Sequence, residues 1–326
     1  MAAEKMALAK ALNASLRTAL ETDPKVLIMG EDVGRLGGVF RITDQLQKDF
    51  GEDRVIDTPL AESGIIGTAI GLALRGYRPV AEIQFDGFVF PAYDQIVTQL
   101  AKMHARSLGA VRLPVVIRIP YGGGIGAVEH HSESPEALFA HVAGLKIVTP
   151  SDASDAYWML QQAIQCDDPV VFFEPKARYW DKGEVDREGI PGPLHAAKVV
   201  RRGEDLTIAA YGPSVKTALA AASAAEEDGV SLEVVDLRSV SPIDFDTLQR
   251  SVERTGRLVV VHEAPVFFGS GGEIAARITE RCFYHLEAPV LRVGGFHAPY
   301  PPARLEEEYL PGLDRVLDSV DRALAY

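Results

Sequence analysis

Asp57-Thr58-Pro59-Leu60-Ala61-Glu62-Ser63-Gly64-Ile65-Ile66-Gly67 sets the terms for the rest of the chain. It follows a short strand-like run, Arg54 to Asp57, and opens a helix predicted over 62–75. That helix carries one carboxylate in its first turn and continues through Gly64, Ile65, Ile66, Gly67, Ala69, Ile70, Gly71 and Leu72. So uncharged a helix is expected to be buried, and a buried carboxylate without an obvious Lys or Arg partner carries a raised pKa. Groups in that state are over-represented among catalytic residues. The alternative is an acid that merely complements the helix dipole. Position alone does not separate the two.

Outward from this stretch the first half of the chain alternates. Pro24 to Met29, Arg54 to Asp57, Arg78 to Phe85, Pro114 to Pro120, Leu145 to Val148 and Pro169 to Phe173 read as short buried strands. Helices are predicted near 5–20, 62–75, 91–107, 134–141 and 152–165, the last opened by Ser151-Asp152 directly after a strand. Strands alternating with helices imply a mainly parallel sheet covered on both faces. From Asp181 to His195 the sequence turns charged and then Gly/Pro-rich, as a linker does. Beyond it, strands at Leu206 to Ala210, Ser231 to Leu237, Arg257 to His262 and Pro289 to Val293 alternate with helices near 213–228, 244–254, 271–285 and 313–325. The expectation is an α/β chain of two domains, 1–190 and 191–326.

At 326 residues, two ordinary domains fit. Hydrophobic content of 47% and charged content of 24% are those of a globular protein. A net charge of −13 argues against nucleic acid and suits a basic protein partner. Two cysteines, Cys166 and Cys282, make no disulfide framework and point to a reducing compartment. Met1 to Leu20 lacks the apolar core of a signal peptide and the Arg-rich, acid-poor character of a transit peptide. No apolar run is long enough for a bilayer, so no membrane partner and a cytoplasmic location are expected.

Two further stretches carry chemistry. Gln84-Phe85-Asp86-Gly87-Phe88-Val89-Phe90-Pro91-Ala92-Tyr93-Asp94-Gln95 is an aromatic strand-to-helix transition, and Glu129-His130-His131-Ser132-Glu133-Ser134-Pro135-Glu136-Ala137 is a histidine pair before a helix start. With the Glu62 segment, and with Gly37-Gly38-Val39-Phe40-Arg41, Phe139-Ala140-His141, Gly144-Leu145-Lys146 and Phe173-Glu174-Pro175-Lys176 in the same order, the chain resembles a known family. It is similar to the β subunits of the decarboxylating component of 2-oxo acid dehydrogenases, thiamine diphosphate enzymes of the transketolase-like group.

The resemblance implies a pyrimidine-binding domain followed by a transketolase-type C-terminal domain. It implies that Glu62 is the activating glutamate, sharing a proton with the aminopyrimidine of thiamine diphosphate from an apolar pocket. Phe88 becomes the aromatic wall of that ring, with Phe85, Phe90 and Tyr93 as ordinary core aromatics. Leu60 and Gln84 are placed beside the cofactor. His131 begins the family's His-Ser-x-Ser motif and would act on the 2-oxo acid or on lipoamide; otherwise it is a helix-entry histidine bonded to backbone. His130 is a supporting candidate. Some relatives hold a structural K+ at positions matching Leu113, Val115, Val116, Ala163, Cys166 and Asp168, and Cys166 stands there where an Asp is frequent.

The Gly-Asp-Gly and Asn-Asn segments that anchor the diphosphate through Mg2+ are absent; Asn13 is the only asparagine. On the resemblance, an α subunit would hold Mg2+ and the diphosphate within an α2β2 heterotetramer. The acyl group would pass to a lipoyl-bearing acyltransferase core. The wording of Asp57–Gly67, Glu129–Glu136 and Phe173–Trp180 resembles the branched-chain enzymes, with pyruvate enzymes as near neighbours; a non-catalytic scaffold and another thiamine-dependent transferase are the remaining alternatives. Gly122-Gly123-Gly124-Ile125-Gly126 reads as a flexible loop bordering the site, and Gly269-Ser270-Gly271-Gly272 as glycines for close subunit packing. Glu306-Glu307-Glu308 and terminal Tyr326 would suit a basic docking domain, or are plain surface charge.

Overall fold

The computed structural model describes residues 3–326 and divides into two units. The first takes the chain up to Tyr121 and Leu138–Leu194; the second takes Gly122–Ala137 and His195–Tyr326. The stretch 122–137, which the sequence places in the first domain, therefore groups with the second. No helix among the described residues is long and apolar enough to cross a membrane.

In the first unit, strands β1 (Glu4–Ala7), β2 (Val26–Gly30), β3 (Val55–Asp57), β4 (Arg78–Glu82), β5 (Val116–Tyr121), β6 (Lys146–Val148), β7 (Val170–Pro175) and β8 (Lys182–Val185) form two sheets. The larger runs β6-β7-β5-β4-β2-β3, with every one of these pairs parallel. Strands β2, β5 and β7 are buried along their whole length, which their mainly apolar runs foretell, with Arg118 in β5 and Glu174 in β7 as buried charges. Helix α1 (Leu8–Thr22) sets Leu8, Leu12, Leu16 and Leu20 on one face. They share a core with Tyr157, Leu160 and Ile164 of α6 (Ala153–Gln165). Asp152 caps α6 as expected, accepting from the Asp155 N–H at 2.7 Å.

Two expectations give way. Glu4–Ala7 is a strand rather than the start of a helix, and it pairs antiparallel with β8, inside the supposed linker. Helix α1 has no side-chain cap; the N–H groups of Leu8 and Ala9 donate to the carbonyls of Asp181 and Tyr179, both at 3.0 Å. The predicted helix 91–107 is broken into a 3-10 turn (Asp86–Ala92), a π-helical turn (Gln95–Leu100) and the short α4 (Met103–Arg106), with α2 (Leu46–Phe50), α3 (Glu62–Leu74) and α5 (Glu136–Ala140) elsewhere. Pro91 inside the first turn has no N–H to continue a regular ladder.

The second unit is built on β9 (Lys198–Arg201), β10 (Leu206–Ala210), β11 (Leu232–Asp236), β12 (Ser239–Ser241), β13 (Leu258–Pro265) and β14 (Leu291–Gly295). Its sheet runs β14-β13-β10-β11-β9, parallel except for the edge strand β9. Ala218 and Ala222 of α7 (Ser214–Glu227) pack in one core with Val316 and Val320 of α11 (Leu313–Leu324). The remaining helices are α8 (Phe245–Thr255), α9 (Ser270–Cys282) and α10 (Glu306–Tyr309). His262 on β13 is fully buried, and burial holds its imidazole down at about 4. Its Nε2 accepts from the Gly271 N–H at 3.3 Å, and a side chain at Gly271 would come within 2.6 Å of that nitrogen. Gly269 and Gly271 thus allow a close approach to His262 inside their own unit.

Candidate active site

Neighbouring parallel strands deliver the residues of interest at their C-terminal ends, where ligands of open α/β sheets gather. Strand β2 runs into Glu31-Asp32, β3 into the turn before Glu62, and β4 into Gln84 and Phe88. Asp57 ties two of these ends together, accepting from the N–H groups of Gly34 (2.6 Å) and Arg35 (3.2 Å). Gln84 donates to Asp32 at 3.2 Å and to the Glu31 carbonyl at 3.4 Å. It therefore fixes the turn after β2 from the next strand.

Glu62 lies in the first turn of α3, 7% exposed and without an ion-pair partner among the described residues. Its charge acts on another acid. Glu31 is 8% exposed, and burial first, then the charges of Glu62 and Asp32, push its carboxyl up. The charge of Glu62 is thus felt at Glu31, on the end of the neighbouring strand. Sequence reasoning missed Glu31; Gly30-Glu31-Asp32 directly after a buried strand was the available signal. The Thr58 hydroxyl, just ahead of Glu62, is buried with no hydrogen-bond partner. Leu60 stands 79% exposed in the same turn. Only one side of α3 is buried, through Ile65, Ile66, Ala69, Ile70 and Ala73; Gly64, Gly67, Thr68 and Gly71 face outward. The wholly buried helix expected from composition is instead a helix with an uncharged open face.

Phe88 is half-buried in the Asp86–Ala92 turn and meets Phe85 edge-on at 5.7 Å; Phe85 in turn meets Phe40 at 5.6 Å. Below that turn Asp86 pairs with Lys176 at 2.5 Å, both side chains fully buried. Phe85 and Tyr93 pack among neighbours, but Phe90, expected in the core, is 46% exposed. Deeper in the sheet Arg118 of β5 reaches Glu82 of β4 at 2.6 Å and Glu174 of β7 at 2.6 and 3.0 Å. Tyr179 donates to Glu174 at 2.7 Å. Burial raises the Glu82 carboxyl although Arg118 pulls it down.

His131 belongs to the second unit, in the turn Glu129–His131 of the 122–137 stretch. Its Nδ1 lies 2.8 Å from the His130 carbonyl, and the two imidazoles meet edge-on at 4.4 Å. His130 stands 3.6 Å from Glu129. The glycine loop ahead of them is not left to itself. Gly123 donates to Glu263 at 3.0 Å, Gly124 and Gly126 to Glu306 at 2.9 and 3.0 Å. Glu306, read as a docking acid, is 7% exposed and faces inward, whereas Glu307, Glu308 and Tyr326 are exposed.

The oxygens considered for K+ already have cationic or amide donors. Arg78 donates to the carbonyls of Ile164 (3.0 Å) and Cys166 (3.1 Å), and Lys146 pairs with Asp168 at 2.9 Å while donating to the Cys166 sulfur at 3.2 Å. The carbonyls of Leu113, Val115 and Ala163 accept from Val115, Val170 and Cys166. A K+ site does not fit this arrangement, because the chain's own ammonium and guanidinium groups supply the positive charge. No cluster of three His, Cys, Asp or Glu side chains suited to a metal exists among the described residues.

Residues 4–181 match the transketolase pyrimidine-binding domain and residues 195–316 the transketolase C-terminal domain. The chain is 65% identical to the pyruvate dehydrogenase E1 component subunit beta of Leifsonia xyli, covering 99% of this chain and 96% of that one. This chain belongs to the transketolase-like E1 β subunits of 2-oxo acid dehydrogenases. The E1 β fold recurs in a split-gene transketolase, an inactive β4 tetramer, with a TM-score of 0.80 at 25% identity and 98% of each chain covered. A second E1 β relative, the 3-methyl-2-oxobutanoate dehydrogenase subunit beta of Mycobacterium tuberculosis, is 55% identical over 98% of this chain and 92% of its own.

Proposed function

We propose that this E1 β subunit completes a thiamine diphosphate-dependent 2-oxo acid dehydrogenase with an α subunit, acting on 3-methyl-2-oxobutanoate and similar branched acids and passing the acyl group to lipoamide on a separate acyltransferase. The observation that carries it is Glu62: nearly buried, without a cation, and set against a second acid whose carboxyl its charge helps to raise. Such a carboxylate is ready to share a proton with a basic ring nitrogen, and the partnerless Thr58 hydroxyl beside it leaves a polar atom for a ligand. Residues present therefore fit the pyrimidine end of the cofactor, with Phe88 and Leu60 as apolar walls and Gln84 holding the turn. Thiamine diphosphate supplies the carbon nucleophile and the electron sink for loss of carbon dioxide. Glu62 holds the activating proton, while His131 offers a hydrogen bond to the carboxylate or carbonyl of the acid. The diphosphate and its Mg2+ belong to the α subunit, since this chain lacks the oxygen and asparagine set for them. The open glycine face of α3, uncharged and exposed, supports a partner at that helix.

Pyruvate is the second reading, supported by the 65% identity to the pyruvate dehydrogenase subunit of Leifsonia xyli. Co-expression with the α chain, with 3-methyl-2-oxobutanoate and pyruvate supplied separately, separates the two. Activity that requires both chains and disappears in Glu62→Ala is the expected result. A properly assembled but inactive wild-type pair would return the chain to a scaffold, and full activity in Glu62→Ala would remove the proton-holding role.

A further inference from the structure

The Gly122–Gly126 loop is gripped by carboxylates in a way that surface charge does not explain. Glu306 spends both oxygens on it: Oε2 accepts from the Gly126 N–H at 3.0 Å, and Oε1 accepts from the Gly124 N–H at 2.9 Å and from the Tyr300 hydroxyl at 2.6 Å. Glu263 takes the Gly123 N–H at 3.0 Å. Gly122 and Gly124 adopt φ of +83° and +86°, turning successive amides toward the acids as an anion nest does. Side chains have no room there: one on Gly123 would collide with the Tyr300 hydroxyl, and one on Gly122 would come within 2.7 Å of Glu263. The base of the loop is closed by the Gly122 N–H donating to the Glu133 carbonyl at 3.0 Å. On the far side Glu136 accepts from the Tyr211 hydroxyl at 2.7 Å, which lies 2.6 Å from the Ser270 hydroxyl. His130 and His131 sit between these two anchors.

We infer that Glu306, with Glu263 and Tyr300, is a latch that sets the position of His131. The inference rests on the role proposed above for His131. Charged acceptors make hydrogen bonds roughly twice as strong as neutral ones, and three such bonds fix the amides of Gly123, Gly124 and Gly126. Tyr300 remains a donor, because burial and the neighbouring Glu306 carboxylate hold its hydroxyl well above the ordinary tyrosine range. Glu306 and its companions are positioning residues: they act on the reaction only through where His131 stands.

The test uses the α–β holoenzyme with Glu306→Gln, Glu306→Ala and, as a control, His131→Ala. Backbone hydrogen exchange, kcat for the 2-oxo acid, thiamine diphosphate affinity and Tm are read together. In Glu306→Ala, exchange across 122–131 should quicken and kcat fall by about 10- to 100-fold, the scale of a roughly 1 Å misplacement, while cofactor affinity stays within about threefold. Glu306→Gln should fall between, since its oxygen still accepts one amide while its NH2 opposes the other. Unchanged exchange at 122–131 overturns the latch, and so does kcat within about twofold of wild type. Exchange that rises throughout the second unit, with a lowered Tm, also overturns it in favour of a general structural prop. If His131→Ala keeps wild-type kcat, the reading of His131 fails, while the exchange result still decides whether the loop is latched.

Discussion

Replacing Arg118 by methionine should expose how strongly the first sheet depends on one buried charge. The guanidinium has no solvent exposure and holds Glu82 and Glu174, themselves 5% and 0% exposed. Methionine keeps much of the volume but strands two carboxylates in the sheet. Breaking a buried pair by removing one partner costs about 3–5 kcal/mol. For a unit of this size a kcal/mol shifts Tm by roughly 2–4 °C, so the expected fall is about 6–20 °C. The pH dependence is the sharper signature. Arg118 is the main influence lowering Glu82 against the burial that raises it, so without Arg118 the Glu82 carboxyl rises further. A carboxyl with a folded pKa above its unfolded value binds protons on folding. The deficit of Arg118→Met is therefore largest at neutral pH and shrinks as pH falls through that raised value. Calorimetry of wild type and variant at about pH 8 and about pH 5.5 measures both effects. Adding Glu82→Gln and Glu174→Gln should recover much of the loss, since neutral amides are cheaper to bury. A Tm within about 2 °C of wild type, or a deficit that grows on acidification, would refute the reasoning.

Other outcomes follow from particular contacts. Glu62→Gln should lower kcat of the holoenzyme by roughly 10²–10⁴, and should also bring the Glu31 carboxyl down, because the Glu62 charge helps to raise it; carboxyl-carbon NMR showing an unmoved Glu31 would mean the two acids do not face each other. Exchanging K+ for tetramethylammonium should leave the wild-type Tm within about 1 °C, whereas Lys146→Ala, with Asp168 freed, should gain a K+ dependence. His262 is held at about 4 against an ordinary 6.5. The unfolded chain thus takes up a proton first, and stability falls as pH drops from about 6.5 to about 4, by roughly 3 kcal/mol in all. Urea titrations across that range should show a flatter slope for His262→Gln, and identical slopes would exclude this histidine as the cause.

The parallel strands were legible because burial on both faces demands apolar runs, and Val26–Gly30 and Val170–Phe173 have them. The burial of Glu62 was legible for a related reason, since it opens an otherwise apolar helix. What escaped depends on partners far along the chain. Lys182–Val185 carries Lys and Glu like a linker and becomes a strand only because Glu4–Ala7 lies beside it. Lys198–Arg201 is an edge strand, where polar residues are tolerated, so its sequence lacks the core signal. In Glu306-Glu307-Glu308 no local rule tells which acid turns inward; the answer lies in the amides of Gly124 and Gly126. Glu31 escaped because its environment is made by a second acid that arrives on another strand.

The strand pair β1–β8 and the backbone cap on α1 have a consequence for how the molecule is made. During synthesis Glu4–Ala7 emerges long before Lys182–Val185, the segment that pairs with it, and before the Tyr179 and Asp181 carbonyls that satisfy the first turn of α1. Until then the nascent chain carries an open strand edge and a frayed amphipathic helix, both adhesive. The first unit is thus finished by nearly its last residues. A fragment cut at the charged stretch near 181, where the sequence invites a boundary, would remain in that adhesive state, whereas one ending beyond Val185 would close it.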